Sequence, residues 1–122
     1  MAADAGSALL VFSTLPDAAA AQRLARLLVE RRLAACVSVL PPCTSIYRWQ
    51  GALEESAEVP LLIKTTAARY ADLEAAIRAE HPYELPEIVA VPVQRGLPGY
   101  LDWVAAETAA APTSPSSAPI RP

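Results

Sequence analysis

One cysteine and one histidine, far apart in the chain, have the clearest capacity for metal chemistry. Cys36 offers a soft thiolate and His81, the only histidine, offers a borderline imidazole nitrogen. Both ligand types suit copper. Two donors are fewer than a closed metal site requires, so a third group or a neighbouring subunit would have to contribute. The alternative is that Cys36, which lies in an apolar segment, is a small core residue.

A second set of residues could hold a small ligand. The segment His81-Pro-Tyr-Glu-Leu-Pro86 is polar, aromatic and stiffened by proline, and rigid loops often carry function. Lys64 ends an apolar segment and could pair with Glu58, Glu87 or an anionic ligand. We therefore take Lys64, Tyr83, Glu87 and Glu58 as a candidate ligand cleft. The alternatives are a lysine that snorkels at the sheet rim and a stiff loop packed at an interface.

The sequence contains no persuasive catalytic arrangement. It has four glycines and neither a Gly-x-Gly-x-x-Gly motif nor a phosphate-binding loop. No serine or cysteine has a histidine and an acid at a familiar spacing. The paired carboxylates stand in surface-like segments, where nothing would shift their pKa. We therefore predict no catalytic residues, no organic cofactor and no enzymatic activity.

Composition indicates one compact, cytoplasmic domain. A chain of 122 residues, 53% of them hydrophobic, can build an aliphatic core without disulfides or metal staples. The net charge of −3 gives no reason to expect nucleic acid as a partner. The first apolar stretch, Ala8 to Phe12, is too short for a signal peptide or a membrane span. We expect a cytoplasmic protein with reduced thiols and no membrane partner.

Hydrophobic periodicity predicts an alternation of strands and helices. Thr14 or Asp17 could cap the first helix, and Thr65 or Thr66 the second. Gln50-Gly51 supplies a hairpin turn, and Pro60 requires a bulge or an unpaired N–H position in its strand. We expect strands at 8–12, 35–40, 44–49, about 52–64 and 87–93, helices at 18–32, 68–80 and 100–106, a flexible segment at 1–7, a single domain at 8–108 and a disordered tail at 109–122.

This order of elements predicts an α+β fold, a ferredoxin-like split βαβ sandwich with a short C-terminal helix. The hairpin from Ala35 to Lys64 is unusually long, since each arm could reach about 45 Å at roughly 3.3 Å per residue. Such an arm extends beyond its own sheet. The helices cover one face of that sheet, and the other, apolar face is left exposed, which is rare in a soluble monomer. We therefore predict a homotrimer, with hairpin arms paired between subunits and an interface that includes Ile46, Tyr47, Trp49 and Trp103.

Several ordered motifs are spaced across residues 8–107. The motifs are Leu33-Ala-Ala-Cys-Val37, Thr44-Ser-Ile-Tyr-Arg-Trp-Gln-Gly51, Glu58 with Leu62-Ile-Lys64, His81-Pro-Tyr-Glu-Leu-Pro-Glu-Ile88 and Tyr100-Leu-Asp-Trp103. Together they resemble those of the CutA (divalent-cation-tolerance) family. The resemblance implies the fold given above, a trimer held by long hairpins, and a tie to divalent metals, copper above all. It also implies a likeness to trimeric PII-type signalling proteins, which bind small ligands between subunits.

The chain departs from the family pattern at several positions. Family members often carry asparagine where Ser38 stands. Some members have a cysteine at the position of Ser13. In the family, that cysteine and the residues that correspond to Cys36 and His81 are linked to copper binding. Ser13 leaves two of those three groups. Cys43 is not a family signature.

Two functions from different classes follow. The first is a non-enzymatic trimer that binds or responds to metal, copper or another divalent cation. The second is a signalling or scaffold module that holds an anionic small molecule in intersubunit clefts near Lys64, Tyr83 and Glu87. An enzyme of the acylphosphatase type would need an arginine-bearing, glycine-rich loop after the first strand, where Ser13-Thr-Leu-Pro16 stands instead.

Overall fold

The computed structural model describes residues 7–109, so most of the two predicted flexible ends lies outside it. The predicted order of elements is confirmed. The strands are β1 (Ala8–Leu15), β2 (Cys36–Val39), β3 (Cys43–Trp49), β4 (Ala52–Thr66) and β5 (Val89–Pro92), and the helices are α1 (Ala18–Glu30), α2 (Tyr70–Glu80) and α3 (Pro98–Glu107), with a 3-10 turn at Ala67–Arg69 before α2.

The strands form an antiparallel sheet in the order β2-β4-β1-β5, and β3 pairs with the first part of β4. Successive side chains of a strand point to opposite faces. Alternate residues of β1 and β4 therefore enter one core with α1 and α2, which confirms the α+β sandwich. The core includes Val11, Leu15, Leu24, Leu28, Val59, Leu61, Ile63, Leu73 and Ile77.

The start of α1 agrees with prediction, but its end does not. Asp17 caps α1, since its Oδ1 accepts a hydrogen bond from the Ala20 N–H at 2.8 Å, whereas Thr14 lies within β1. The helix ends at Glu30, and Arg32 takes a left-handed φ of 58°. A residue in that conformation reverses the chain toward β2, so the helix cannot extend to residue 32.

Neither threonine caps the second helix through its side chain, which corrects the prediction. The Thr65 hydroxyl is buried and donates to the Leu33 carbonyl at 2.7 Å, so it fastens β4 to the segment before β2. Thr66 is extended and makes no capping hydrogen bond. The other end of α2 agrees with prediction, because His81, which precedes Pro82, is extended with ψ 136°.

β2 and β3 form one interrupted arm of the long hairpin. Val39 pairs with Leu61 and Cys43 with Glu58, so Pro41-Pro42 lies between the two ladders. The Pro60 carbonyl accepts from the Leu40 N–H at 2.9 Å. Because a strand residue directs its N and O to the same neighbour, the missing Pro60 N–H faces the diproline break. The register with β1 is continuous, so β4 itself does not bulge at Pro60 and its missing N–H is an unpaired position. Residues 40–42 oppose residues 59–60, so the extra residue of a bulge lies in the diproline arm.

The far half of the hairpin extends beyond the sheet. β1 ends at Leu15, opposite Val59, so residues 52–58 of β4 pair with β3 alone. Seven residues reach roughly 23 Å. The tip is a tight turn in which Gln50 (φ 49°) and Gly51 (φ 82°) both have positive φ, as a type I′ hairpin requires. A two-stranded ribbon of this kind is marginally stable by itself.

Candidate functional site

A buried carboxylate lies where β1 and β4 approach the loop that follows α2. The sheet register places Thr14 opposite Pro60, and the Thr14 hydroxyl donates to Glu58 Oε2 at 3.1 Å. The Glu58 side chain is 8% exposed. It is therefore not part of a solvated strand edge, in contrast to the exposed Glu54 and Glu55 before it. A carboxylate this buried needs specific polar partners.

His81 fastens the loop of residues 81–88 to β1. Its Nδ1 accepts a hydrogen bond from the Tyr83 N–H at 3.1 Å, so the ring proton resides on Nε2. That Nε2–H donates to the Thr14 carbonyl at 2.7 Å. The ring is 8% exposed and lies 4.8 Å from the Tyr83 ring, centroid to centroid. Both imidazole nitrogens are thus engaged within the fold.

The Tyr83 hydroxyl faces Glu58. The pKa of Tyr83 is raised to about 12, first by burial and then by the hydrogen-bonding and charge interactions of the phenol with Glu58. Tyr47 and Asp17 add smaller contributions of the same sign to the Tyr83 pKa. The phenol therefore stays protonated further into the alkaline range than an ordinary tyrosine.

Thr14, Glu58 and Tyr83 form part of a groove of about 860 Å³ between the hairpin and the loop. Among residues 7–109, the charged side chains that line it are all acidic, and no lysine, arginine or histidine of this part of the chain contributes to the lining. The rest of the wall is aromatic or apolar. The groove is lined by Thr14, Ser45, Ile46, Tyr47, Trp49, Glu58, Pro82, Tyr83, Glu84, Leu85, Pro86 and Glu87.

The structure divides the candidate ligand cleft. Glu58, Tyr83 and Glu87 line the groove, but Lys64 does not. Lys64 lies six positions after Glu58 in β4, a distance of roughly 20 Å along the strand. The Lys64 ammonium instead lies 3.9 Å from the Cys36 Sγ. Within the part of the chain that the structure describes, the groove therefore has no cation to attract an anionic ligand.

The candidate metal ligands are also placed apart. Cys36 is half-buried and pairs with Lys64, which puts its thiol on the sheet face away from the helices. His81 contacts β1 at Thr14, which lies roughly 13 Å further along the sheet. Ser13 is buried on the opposite, helix-covered face, and its Oγ has no hydrogen-bond partner within residues 7–109. Within that part of the chain, no three potential metal-binding side chains cluster.

The predicted interface residues occupy two regions. Ile46, Tyr47 and Trp49 are exposed on the overhanging hairpin, where they also line the groove. Trp103 is half-buried on α3 and packs against Tyr100 at 5.6 Å between ring centroids. Sequence reasoning missed Thr14 as a site residue and placed Glu84 only within the candidate loop. The strand alternation of β1 could have placed Thr14 on the Glu58 face.

The fold and groove define a small α+β sandwich with an overhanging hairpin and a preformed acidic cleft. The family model described as CutA1 divalent ion tolerance protein matches residues 9–107. The chain belongs to this family, as its sequence motifs predicted. Within residues 7–109, no helix has the length and apolar character needed to cross a bilayer.

Relatives and solved structures agree with this assignment. The divalent-cation tolerance protein CutA of Thermus thermophilus is 48% identical over 99 residues, which are 81% of this chain and 96% of the relative. Protein CutA homolog of Xenopus laevis is also 48% identical over 99 residues, 81% of this chain but 66% of that longer protein.

Two solved structures show the same fold. CutA from Xylella fastidiosa superposes with a TM-score of 0.82 at 48% identity, covering 84% of this chain and 98% of that one. The periplasmic divalent cation tolerance protein CutA from Archaeoglobus fulgidus superposes with a TM-score of 0.80 at 34% identity, covering 83% of this chain and 98% of its own.

Proposed function

We propose that this chain acts in divalent-cation tolerance as a homotrimer that binds metal, copper foremost, rather than catalysing a reaction. Membership of the family described by divalent ion tolerance supports the role. The half-buried thiol of Cys36, on the open face of the sheet, is the observation that carries the metal assignment. A thiolate is the protein ligand that copper prefers.

The trimer would supply what one chain lacks. The hairpin overhang and the open sheet face are surfaces that a second and third copy can cover. Ligands from a neighbouring subunit could complete the coordination of Cys36, since one chain does not bring three donors together within residues 7–109. We place the protein in the cytoplasm, where thiols stay reduced, although one structural relative is named periplasmic.

His81 is the second candidate copper ligand in this proposal, but its binding to copper would break a hydrogen bond of the fold. A metal needs a free lone pair on an imidazole nitrogen, and Nδ1 uses its lone pair to accept from the Tyr83 N–H. Copper could bind His81 only after that hydrogen bond is released. We therefore assign the anchoring role to Cys36.

Copper uptake measured by native mass spectrometry tests the proposal. We expect about one copper per chain in the wild type and loss of uptake in Cys36→Ser, because the hydroxyl is a far poorer copper ligand. Cys43→Ser is the matched control: Cys43 is exposed on the same hairpin arm, so this variant should retain uptake. Equal uptake by the wild type and Cys36→Ser would refute the assignment.

The alternative is a PII-like module that holds an anionic molecule in an intersubunit cleft. The groove supports a small-ligand site, since three of the four expected cleft residues line it. Its charge opposes an anion, because Glu58, Glu84 and Glu87 line it while Lys64 lies elsewhere. Metal tolerance therefore remains the better supported function.

A further inference from the structure

Arg32 has a backbone conformation that most residues avoid. It lies just past the end of α1, where its φ is 58°. Its N–H donates to the Val29 carbonyl at 3.0 Å. The Leu33 N–H donates to the Leu28 carbonyl at 2.9 Å, which completes the Schellman pattern of a helix C-terminus. Glycine usually fills this position, because a left-handed φ crowds a side chain. A side chain that persists there indicates a role for that side chain.

The Arg32 side chain caps the end of α3. Its Nη1–H donates to the Glu107 carbonyl at 3.2 Å. The last carbonyls of a helix have no donor within the helix, and the C-terminus carries a partial negative charge. α3 has no basic residue in its last turn and ends in the acidic Glu107. Thr108 donates its hydroxyl to the Val104 carbonyl at 2.8 Å but brings no charge. Arg32 therefore supplies the cation that α3 itself lacks.

Arg69 holds the backbone of Arg32. Its Nε–H donates to the Arg32 carbonyl at 3.4 Å, and its Nη1–H donates to Asp72 Oδ2 at 3.2 Å. Asp72 lies in the first turn of α2. The contacts therefore run from α2 through the end of α1 to the end of α3, and they join three helices that are far apart in the sequence.

α3 has few other anchors. From Pro98 to Glu107, all of which the structure describes, Val104 is the one buried residue. Trp103, a predicted interface residue, is half-buried beside it. A helix of 10 residues is marginally stable without tertiary contacts. The contact at its C-terminus is therefore important for where α3 lies.

We propose that Arg32 is a latch that docks α3 against the rest of the chain and thereby positions Trp103 for the neighbouring subunit. Arg32 is a positioning residue, because it acts on the interface through α3. The arginine is kept at a glycine position for its side chain, which reaches a carbonyl 75 positions away in the sequence. The positioning of Trp103 rests on the homotrimer proposed above, whereas the docking of α3 does not.

Amide hydrogen exchange of the full chain, followed by mass spectrometry of its peptides, tests the latch. We expect Arg32→Gly to accelerate exchange of the α3 amides about tenfold, because it removes a charge-assisted hydrogen bond. The α1 amides should exchange no faster, since glycine suits the left-handed φ. Arg31→Ala removes the same charge at the exposed preceding position and is the control, which should leave α3 exchange unchanged.

A second variant and a second measurement complete the test. Arg32→Lys keeps a cation at the end of α3 and should restore part of the protection. Sedimentation equilibrium should give a trimer several-fold weaker for Arg32→Gly than for Arg31→Ala.

Each unfavourable outcome refutes a distinct part of the inference. Unchanged α3 exchange in Arg32→Gly, or α1 exchange accelerated as much as that of α3, would refute the latch. Faster α3 exchange with an equally tight trimer would refute the link to assembly. A monomeric wild type would refute the homotrimer and with it the role of Trp103, while the exchange comparison would still decide whether Arg32 docks α3.

Discussion

Tyr83 has the clearest electrostatic signature among the single residues. Burial and the carboxylate of Glu58 together raise its pKa to about 12 from the usual 10.0. Both causes disfavour the phenolate: burial withdraws it from water, and Glu58 repels its charge. The contact between Tyr83 and Glu58 depends on two features of the fold. Strand alternation turns Thr14 and Glu58 to one face of the sheet, and His81 holds the loop that carries Tyr83 against β1.

This shift predicts a stability loss in strongly alkaline solution. The pKa of Tyr83 is higher in the folded state than in the unfolded state, so its contribution is present below pH 10 and is lost as pH rises toward about 12. Chemical denaturation across this interval should show a smaller decline of the unfolding free energy for Tyr83→Phe than for the wild type.

Ultraviolet titration of the phenolate gives a second measure of the same effect. We expect the Glu58→Gln variant to lower the pKa of Tyr83, because it removes the negative charge beside the phenol. Tyr47→Phe tests a lesser cause, since Tyr47 contributes less to the shift than Glu58 does. An unchanged high-pH transition in Tyr83→Phe would contradict the assignment.

At the level of elements, the His81 side chain fastens the loop of residues 81–88 to β1. Pro82 ends α2, and Pro86 stiffens the path toward β5. Neither proline specifies where the loop rests. His81 does so, with a donated hydrogen bond to Thr14 and an accepted one from Tyr83. The groove therefore owes its second wall to a histidine that sequence reasoning took as a metal ligand.

His81→Ala should destabilise the protein. The substitution leaves the Thr14 carbonyl and the Tyr83 N–H without their partner and opens a cavity, at a cost of roughly 2–4 kcal/mol. The unfolding free energy from denaturant titration at fixed protein concentration measures this loss. Glu80→Ala, an exposed change at the preceding position, is the control and should cost less than about 0.5 kcal/mol. A His81→Ala loss as small as the control's would show that the histidine is not a structural link.

For the whole molecule, the surfaces that a single chain leaves uncovered matter most. Phe12 and Val89 pair across β1 and β5 on the face without helices, and Val91 lies beside them. On the hairpin, Ile46 and Leu53 are 63% and 71% exposed. A soluble protein rarely leaves such a surface uncovered, and the ribbon that carries Ile46 and Leu53 needs packing to be stable.

We expect sedimentation equilibrium at micromolar concentration to give three times the 12.9 kDa mass of one chain. The double variant Ile46→Asp with Leu53→Asp should dissociate, because charges would replace the apolar contacts of the hairpin. Glu54→Gln, a conservative change on the same ribbon, is the control and should leave the mass unchanged. A wild-type monomer, or a double variant that stays trimeric, would refute assembly through the hairpin.

Local chemistry made much of the fold predictable. The periodicities of strand and helix, the positive φ that Gln50-Gly51 accepts, and the helix-ending effect of Pro82 act over a few residues. Where two local solutions were equivalent, tertiary contacts selected one: Asp17 caps α1, while Thr14 and Thr65 are committed to β1 and β4. Some boundaries depend on a partner strand. β1 extends to Leu15, beyond the predicted end at residue 12, because β4 continues to pair with it as far as Val59.

The sequence by itself determined the order of elements, the long hairpin and the family, because each is encoded in short-range patterns and spaced motifs. The tertiary structure alone decided which candidate residues meet. Sheet register and strand parity put Lys64 beside Cys36 and away from Glu58, and they direct Ser13 and Cys36 to opposite faces. Register joins residues distant in sequence, so no local pattern reports it. For the same reason, the acidic groove emerges only once β1, β4 and the 81–88 loop are assembled.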